Sequence, residues 1–334
     1  MFSAIYIEEE IKDWERVKKI SESFPHLPKI ICGRYGEIFN RSNQNFRIQK
    51  KAPALILAKK YGNLVLPAPS GYGFRGGKSF YFSHMLNCVY DCRYCFLQGM
   101  YRSANYVLFV NYDDFRVQIE ESISSCKGNS IYYSGYDCDS LALEPVSHFC
   151  DYFLEIFEGN PTGILEIRTK STQVRKLLDR SPIPNVIVAM SFSSQKSSLR
   201  FEQGVPSIQK RVSVLRKLQE KGWKIAIRFE PLIFENTLLD NYKDLFDQLF
   251  QSLDVNQLHS VSLGEFRMPK TYYKSIVKLY PEEELFARET TIENGLISLK
   301  DTDGESLQDI ENLLKTYVSR ENITSVDELS GQEF

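Results

Sequence analysis

Three cysteines stand close together in the chain, at Cys88, Cys92 and Cys95, with three and then two residues between them. The intervening residues include Asp91, Arg93 and two tyrosines, so the stretch is not a strip of apolar core. Cys thiolates are the usual protein ligands of iron–sulfur clusters, and three of them leave one iron of a four-iron cluster without a protein ligand. The triplet therefore predicts a [4Fe-4S] cluster whose open iron can bind a small chelating molecule and pass it an electron.

Two other arrangements account for the same spacing. Cysteines four and three residues apart also form one stripe of a buried helix, since free Cys is among the most buried residue types. A structural zinc site is the second alternative, because Cys₃His sites exist and His84 lies four residues before Cys88. Disulfides fit poorly, since seven cysteines is an odd number and the first residues do not resemble a secretory signal.

Length and composition are those of a soluble globular protein. A chain of 334 residues is long enough for one barrel domain and a smaller lobe. No apolar run approaches the ~18 residues of a membrane span, so no membrane partner is expected. Clustered cysteines without a signal sequence predict a cytoplasmic location.

The small net charge of −2 hides an uneven distribution along the chain. Residues 165–230 contain 14 Lys and Arg against five Asp and Glu, whereas residues 301–334 contain two against nine. A basic middle favours a nucleic-acid partner. Solvated helix faces would give the same counts, so this remains an alternative.

The centre of the chain alternates short apolar runs with amphipathic stretches. Strands are expected at 79–84, 130–134, 164–168, 185–191, 223–229 and 259–263, and helices at 112–127, 145–157, 172–179, 207–220 and 241–253. This alternation predicts a parallel sheet with crossover helices, and six repeats predict a partial (β/α)₆ TIM-type barrel. Gly222, between a helix and a strand, is expected to end that helix.

Smaller parts are expected on either side of the barrel. Residues 1–69 predict a small N-terminal α/β lobe with strands at 4–7, 29–32 and 54–58 and a helix at 11–24. A stretch rich in Gly, Pro and Ser then marks the boundary, and the barrel is assigned to 70–280. Residues 281–334 form a C-terminal extension with a hairpin around Asn294-Gly295, a helix at 306–318 and a polar tail.

Polar residues follow successive predicted strands. Ser134-Gly135, Lys170, Ser191 with Ser193, and Arg228 with Glu230 end the second to fifth strands. Chemistry in a parallel barrel takes place at the carboxyl ends of the strands, where the cysteine loop also lies. A Ser-Gly turn lets the backbone approach a ligand closely, and Lys170 can meet a carboxylate as a point charge.

The cysteine stretch and several other short sequence motifs resemble those of a known family. A C-x₃-C-x₂-C loop after the apolar run Phe80-Tyr-Phe82 resembles the cluster motif of radical S-adenosylmethionine (SAM) enzymes, and Cys92-Arg-Tyr-Cys95-Phe-Leu-Gln98 resembles the spore photoproduct lyase family. Collinear matches are Tyr6-Ile-Glu8, Thr169-Lys170, Ser191-Phe-Ser193, Phe201-Glu202, Pro231, Tyr242-Lys-Asp-Leu-Phe246 and Lys278-Leu-Tyr-Pro281. The resemblance covers nearly the whole chain and is weakest in the last fifty residues.

This resemblance implies a lyase-type radical SAM enzyme that acts on thymine-dimer DNA or a related nucleic-acid substrate. It implies Cys88, Cys92 and Cys95 as cluster ligands, and Ser134, Lys170 and Ser191 near the methionyl part of SAM. Gly135, Ser193 and Tyr94 are further candidates for SAM binding. An electron donor such as flavodoxin or ferredoxin is also implied.

Two other functions stay open at this stage. One is a radical SAM enzyme of the same fold that acts on a peptide or a modified base. The other is a non-catalytic module that binds zinc or a cluster.

The chain departs from the family pattern in its substrate half. The family's hydrogen-donor cysteine aligns with Tyr136, while Cys138 lies two residues later, and a relay tyrosine aligns with Phe96. The family's basic and aromatic hairpin corresponds to 288–295, which contains one Arg and no aromatic residue. Tyr136 and Cys138 are therefore the candidates for hydrogen return, and a continuing strand would place both on one side of the sheet.

Overall fold

The computed structural model describes residues 2–69, 72, 76–233, 237–299 and 306–325. Its strands are β1 (Ile5–Glu8), β2 (Lys29–Cys32), β3 (Leu55–Ala58), β4 (Val65–Pro67), β5 (Lys78–Phe82), β6 (Met85–Leu86), β7 (Asp91–Cys92), β8 (Tyr106–Phe109), β9 (Ser130–Tyr133), β10 (Gly163–Thr169), β11 (Val186–Ser191), β12 (Glu202–Gln203), β13 (Lys224–Leu232), β14 (Leu258–Glu265), β15 (Arg267–Pro269), β16 (Thr290–Glu293), β17 (Leu296–Leu299) and β18 (Ile323–Ser325). Its α-helices are α1 (Glu15–Glu22), α2 (Phe46–Lys51), α3 (Leu97–Met100), α4 (Tyr112–Ser125), α5 (Glu144–Ser147), α6 (Phe149–Glu158), α7 (Arg175–Leu178), α8 (Gln195–Phe201), α9 (Ile208–Lys221), α10 (Leu238–Phe250), α11 (Lys270–Leu279) and α12 (Leu307–Leu314).

The larger sheet is the predicted partial barrel. Its eight strands run in the order β18-β14-β13-β11-β10-β9-β5-β4, so the six strands expected from the sequence lie side by side in chain order and pair in parallel. β4 pairs antiparallel with β5 at one edge, and β18 pairs in parallel with β14 at the other. The sheet curls into a half-barrel, and the α/β fold is confirmed.

Alternation along the barrel strands separates two kinds of side chain. One face of β9, β11 and β13 contributes Ile131, Tyr133, Ile187, Ala189 and Ala226 to a small inner cluster, while the other face packs on the helices. Since strand side chains alternate with period two, Glu166, Arg228 and Ser262 also lie on the inner face. The barrel interior is therefore partly ionic.

A second sheet, of five strands, is built largely from the N-terminal lobe. Its order is β2-β1-β3-β8-β6, and every residue of β3 and β8 is buried. β8 was not among the expected strands, although Tyr106-Val-Leu-Phe109 is a continuous apolar run of the kind that parallel strands show. Because β6 and β8 come from beyond residue 70, this sheet crosses the expected lobe boundary, and the division at 69 stays a prediction.

The C-terminal part contains the expected hairpin and helix. β16 and β17 are joined by Asn294-Gly295 with positive φ angles of 49° and 80°, which is the turn that an Asn-Gly pair favours. β17 also pairs with β15, and α12 falls within the predicted helix. The predicted polar tail from 326 onward lies outside the described residues, as do 70, 71 and 73–75 of the boundary stretch.

Element ends agree with local signals where these were predicted. Gly222 ends α9 with a φ of 98°, as expected for a left-handed helix terminus. Within the described residues, no helix has both the length and the apolar composition of a membrane crossing.

Candidate active site

The cysteine triplet lies in a loop that is anchored to the barrel by strand pairing. β7 pairs antiparallel with β12, so that Cys92 lies opposite Glu202, and Arg93 N donates to Phe201 O at 2.8 Å. On its other side, Lys50 Nζ donates to the carbonyl oxygens of Cys88 (3.1 Å) and Tyr90 (3.3 Å). The loop that carries the thiols is therefore fixed at both of its sides.

A cavity of about 320 Å³ lies at the carboxyl ends of the barrel strands. All three thiols of the triplet line it, together with residues from the ends of four strands and from the loop after β9. The lining residues from these strand ends and loops include Gly135, Tyr136, Cys138, Lys170, Ser191 and Glu230. This is the position at which parallel barrels carry their chemistry.

The donor set of the triplet fits an iron–sulfur cluster. All seven cysteines are free, and burial raises the pKa of each thiol of the triplet, that of Cys88 to about 12. Binding to iron would supply the positive charge that holds such thiols as thiolates. In the described part of the chain, no three His, Cys, Asp or Glu side chains converge on one metal ion, whereas the thiolates of a four-iron cluster bind separate irons.

His84 does not join the triplet, so the zinc alternative loses its fourth ligand. Its ring packs on Phe149 at a centroid distance of 4.7 Å, and its Nδ1 lies 4.0 Å from the sulfur of Cys138. The ring is buried, and burial lowers its pKa to about 3. The helical-stripe alternative also fails, since only Cys92 falls in a regular element, the strand β7.

Glu202 is the centre of a buried network beside the triplet. Its carboxylate accepts hydrogen bonds from Arg211 (2.7 Å), Ser198 (2.7 Å), Ser193 (2.9 Å) and the hydroxyl of Tyr94. Burial alone would raise the pKa of Glu202, but the cationic Arg211 and Lys170 outweigh it and lower the pKa to about 2. The carboxylate is therefore ionised and fixes the triplet loop to α8 and α9.

Asp139 joins the loop after β9 to the end of β10 through hydrogen bonds. Its Oδ2 accepts from the backbone nitrogen of Lys170 at 2.6 Å, and its Oδ1 accepts from Thr169 Oγ1 at 2.6 Å. This pairing places the Lys170 ammonium 5.5 Å from the ring centre of Tyr94. Neither Glu202 nor Asp139 was predicted as a site residue, although Phe201-Glu202 was among the motifs that match the family.

Four of the six predicted SAM-binding residues line the cavity: Gly135, Lys170, Ser191 and Tyr94. A Cβ on Gly135 would lie 2.8 Å from the carbonyl oxygen of Arg168, so a larger residue cannot take this place without movement of the backbone. Ser134 and Ser193 do not line the cavity. The hydroxyl of Ser134 is 2.8 Å from that of Ser140, and that of Ser193 bonds Glu202.

Tyr136 and Cys138 both line the cavity, but for a different reason from the one expected. β9 ends at Tyr133, so the two residues lie in the following loop and strand alternation does not place them. Tyr136 packs against Tyr81, Tyr72 and Phe96, with centroid distances of 4.5, 5.2 and 5.6 Å. The sulfur of Cys138 lies 3.7 Å from the carbonyl oxygen of Ser134.

Comparison with known proteins decides the family. The sequence model of one family, described as spore photoproduct lyase, matches residues 80–295. The chain belongs to the spore photoproduct lyase family. Members of this family are radical SAM lyases, and the protein is an enzyme of that class.

Curated relatives and solved structures agree with this membership. The chain is 24% identical to spore photoproduct lyase of Geobacillus sp. (strain Y412MC61) over 70% of this chain and 71% of the relative. It is 23% identical to that of Bacillus subtilis (strain 168) over 59% of each chain. A spore photoproduct lyase variant solved with AdoMet and dinucleoside spore photoproduct has the same fold, with a TM-score of 0.81, 19% identity and 98% of each chain covered.

Within this spore photoproduct lyase family member, a charged network borders the cavity through Arg168 and Glu230. Glu166 accepts from Arg228 at 2.7 Å and from Arg168 at 2.9 Å, and Arg168 also donates to Glu230 at 3.1 Å. Burial would raise the pKa of Glu166, but the two guanidinium groups lower it to about 2. Arg228 and Glu230 were expected at a strand end, but their ionic partners on β10 were not predicted.

The basic middle of the chain is partly internal, which corrects its simple interpretation as a nucleic-acid surface. Arg211, one of the cations counted in 165–230, is fully buried and donates to Ser191 O at 2.7 Å and to Glu202. Arg168 and Arg228 are held inside the barrel in the same way. Arg175 and Lys176 are exposed on α7, paired with Asp179 and Asp151.

Proposed function

We propose that this protein binds a [4Fe-4S] cluster through Cys88, Cys92 and Cys95 and cleaves SAM reductively. The supporting observation is that these three thiols share one cavity with Gly135, Lys170 and Ser191 at the carboxyl ends of the barrel strands. When bound, the cluster supplies the electron that splits SAM into methionine and a 5′-deoxyadenosyl radical, which abstracts a hydrogen atom from the substrate. The site suits this chemistry because small-molecule ligands bind in concave pockets of this kind.

The residues of the chain have separable roles in this reaction. The Lys170 ammonium is a point charge for the carboxylate of SAM, and the lack of a side chain on Gly135 lets the ligand approach the backbone. Ser191 offers a hydroxyl beside them, while Ser134 and Ser193 act through Ser140 and Glu202. Tyr94 bonds Glu202 and presents its ring to Lys170, so it orients the lysine rather than the substrate.

The substrate is a thymine dimer in DNA or a related nucleic acid. The curated relatives are named spore photoproduct lyases, and one similar structure contains dinucleoside spore photoproduct. Tyr72, Phe96 and Tyr136 line the cavity, and aromatic rings of this kind stack on bases.

Hydrogen return is assigned to Cys138, with Tyr136 as the alternative. Free cysteines favour a cytoplasmic enzyme, reduced by a flavodoxin or ferredoxin.

A different substrate on the same chemistry is the second candidate. Phe96 stands where the relay tyrosine is expected, and the hairpin exposes Ile292 and Leu296 in place of basic and aromatic side chains. These two departures favour a peptide or modified base over lesion-containing DNA. They leave the cysteine triplet and the SAM residues unchanged.

Replacement of Cys92 tests the cluster assignment. Cys92→Ala should lower the iron and sulfide content after anaerobic reconstitution and abolish 5′-deoxyadenosine formation, because the cluster would lose one of its three protein ligands. Cys126→Ala is the matched control, since Cys126 is free but does not line the cavity. Full iron content in Cys92→Ala would contradict the assignment.

A further inference from the structure

One stretch of the chain is basic without any acidic residue. Residues 38–90 contain eight Lys and Arg and no Asp or Glu. The stretch includes α2, and Asn45 caps this helix by accepting from Ile48 N at 3.0 Å. The positive charge on and around α2 is therefore not balanced from within its own segment.

The helix α2 has one buried face and one exposed face. Phe46 is 2% exposed, and Lys50, four residues later, is half-buried on the same face. Arg47, Ile48 and Lys51 point to solvent, and Ile48 is 64% exposed. We call Arg41, Arg47, Ile48 and Lys51 the α2 surface. It consists of one exposed apolar side chain and three cationic ones.

The buried face of α2 contacts the cysteine loop directly. Lys50 donates to the carbonyl oxygens of Cys88 and Tyr90, and Gln49 Oε1 accepts from Ala104 N at 3.0 Å. The α2 surface is therefore separated from the loop by one helix, a thickness of about 10–12 Å. No residue of α2 lines the described cavity, so this path to the thiols does not pass through the substrate site.

Three carboxylates are linked to this surface through its neighbours, which is fewer than the cations around it. Arg47 lies 6.0 Å from the ring of Tyr280, beyond which Asp91 and Glu283 pair with Arg93 at 2.9 and 3.7 Å. Glu37 accepts from Gly33 N at 3.1 Å. Across the neighbouring turn, Arg102 adds a further exposed cation, and its backbone nitrogen donates to Asn40. The surface as a whole stays positive.

We propose that the α2 surface docks a small acidic one-electron carrier protein that reduces the cluster. Cationic side chains around an exposed apolar one suit such a partner, since complementary charge speeds encounter and electron-transfer complexes need only small interfaces. The reduced carrier loses one electron and the cluster held by Cys88, Cys92 and Cys95 gains it, with no bond made or broken. This inference rests on the proposed function. Nucleic acid fits this surface less well. A DNA lesion must enter the cavity, and no residue of α2 lines it.

Charge reversal on α2 tests the proposal in the cluster-loaded enzyme. The variant is Arg47→Glu/Lys51→Glu, and the control is Lys217→Glu/Lys221→Glu, which makes the same charge change on exposed residues of α9. Binding of oxidised flavodoxin and, in parallel, of a short DNA duplex is measured by fluorescence anisotropy at low and high salt. SAM cleavage is measured with reduced flavodoxin and, separately, with dithionite.

The wild-type affinity for flavodoxin should fall with salt, and the α2 variant should bind at least ~10-fold more weakly at low salt, since interface charges act chiefly through electrostatic attraction. The control variant and the dithionite-driven rate should match the wild type. Unchanged flavodoxin binding in the α2 variant overturns the proposal, as does a loss confined to short duplex DNA. If dithionite drives no cleavage in any protein, the proposed function fails, while the binding measurement still decides the role of the surface.

Discussion

Cys138 and Tyr136 face one cavity, and each carries a hydrogen atom on a heteroatom. Cys138 is 5% exposed, and burial raises its pKa well above the ordinary value, so the sulfur keeps its hydrogen at neutral pH. Burial likewise raises the pKa of Tyr136 to about 12. A thiol S–H is a weaker bond than a phenol O–H, which makes Cys138 the better hydrogen source for a carbon radical.

Separate variants distinguish these two residues. Cys138→Ala should still form 5′-deoxyadenosine but should misprocess the substrate radical, whereas Tyr136→Phe should give normal product. Both products are measured by chromatography after anaerobic turnover. The opposite result would assign hydrogen return to Tyr136, and normal product from both variants would exclude both.

Several residues that line the cavity could be predicted from the sequence, whereas the side chains that support them could not. Cysteine spacing is local, so Cys88, Cys92 and Cys95 were identified without a structure, and all three line the cavity. Glu202 and Asp139 depend on contacts with Arg211 and Lys170 that no short spacing encodes. For the same reason Ser134 and Ser193 were expected in the cavity, although their hydroxyls are used inside the protein.

At the scale of elements, the two-residue pairing of β7 with β12 joins the triplet loop to the barrel. So short a pairing has few backbone hydrogen bonds, and the buried ion pair between Glu202 and Arg211 reinforces it. Both side chains of the pair are 0% exposed. Loss of one charge leaves the other buried without its partner.

Replacement of Glu202 should therefore destabilise the fold. Glu202→Gln should lower the free energy of unfolding by about 3–5 kcal/mol, the usual cost of breaking a buried pair. Glu220→Gln removes an exposed i,i+4 pair with Arg216 and should cost less than about 1 kcal/mol. Urea titration at pH 7 measures both, and equal costs for the two variants would contradict the structural role of Glu202.

The same pair gives a pH dependence with a defined sign. Against the desolvation that would raise it, Arg211 and Lys170 lower the pKa of Glu202 from its ordinary value of 4.5 to about 2. The stabilisation from this carboxylate is therefore present above pH 4.5 and is lost as pH falls toward 2. The wild type should thus lose more stability than Glu202→Gln between pH 5 and pH 3. A larger loss of stability in Glu202→Gln than in the wild type would contradict this pH dependence.

At the scale of the whole molecule, the order of the barrel strands could be predicted because each strand and its crossover helix follow one another in sequence. Long-range pairings could not. β6 and β8 leave the barrel segment to complete the N-terminal sheet, and β18 returns from the C-terminal part to the barrel edge. The basic middle could not be interpreted from the sequence for a related reason. Arg211 and Arg228 are buried and Arg168 is mostly so, and this depends on the fold.

The most direct measurement is anaerobic incubation of the cluster-loaded enzyme with SAM, dithionite and dinucleoside spore photoproduct, followed by quantification of 5′-deoxyadenosine and thymidine-type product. The wild type should form 5′-deoxyadenosine and convert the photoproduct back to unlinked thymines, and Cys92→Ala should do neither. Formation of 5′-deoxyadenosine without conversion would favour another substrate. A fully loaded wild-type enzyme that forms no 5′-deoxyadenosine would contradict the radical SAM chemistry assigned to this cavity.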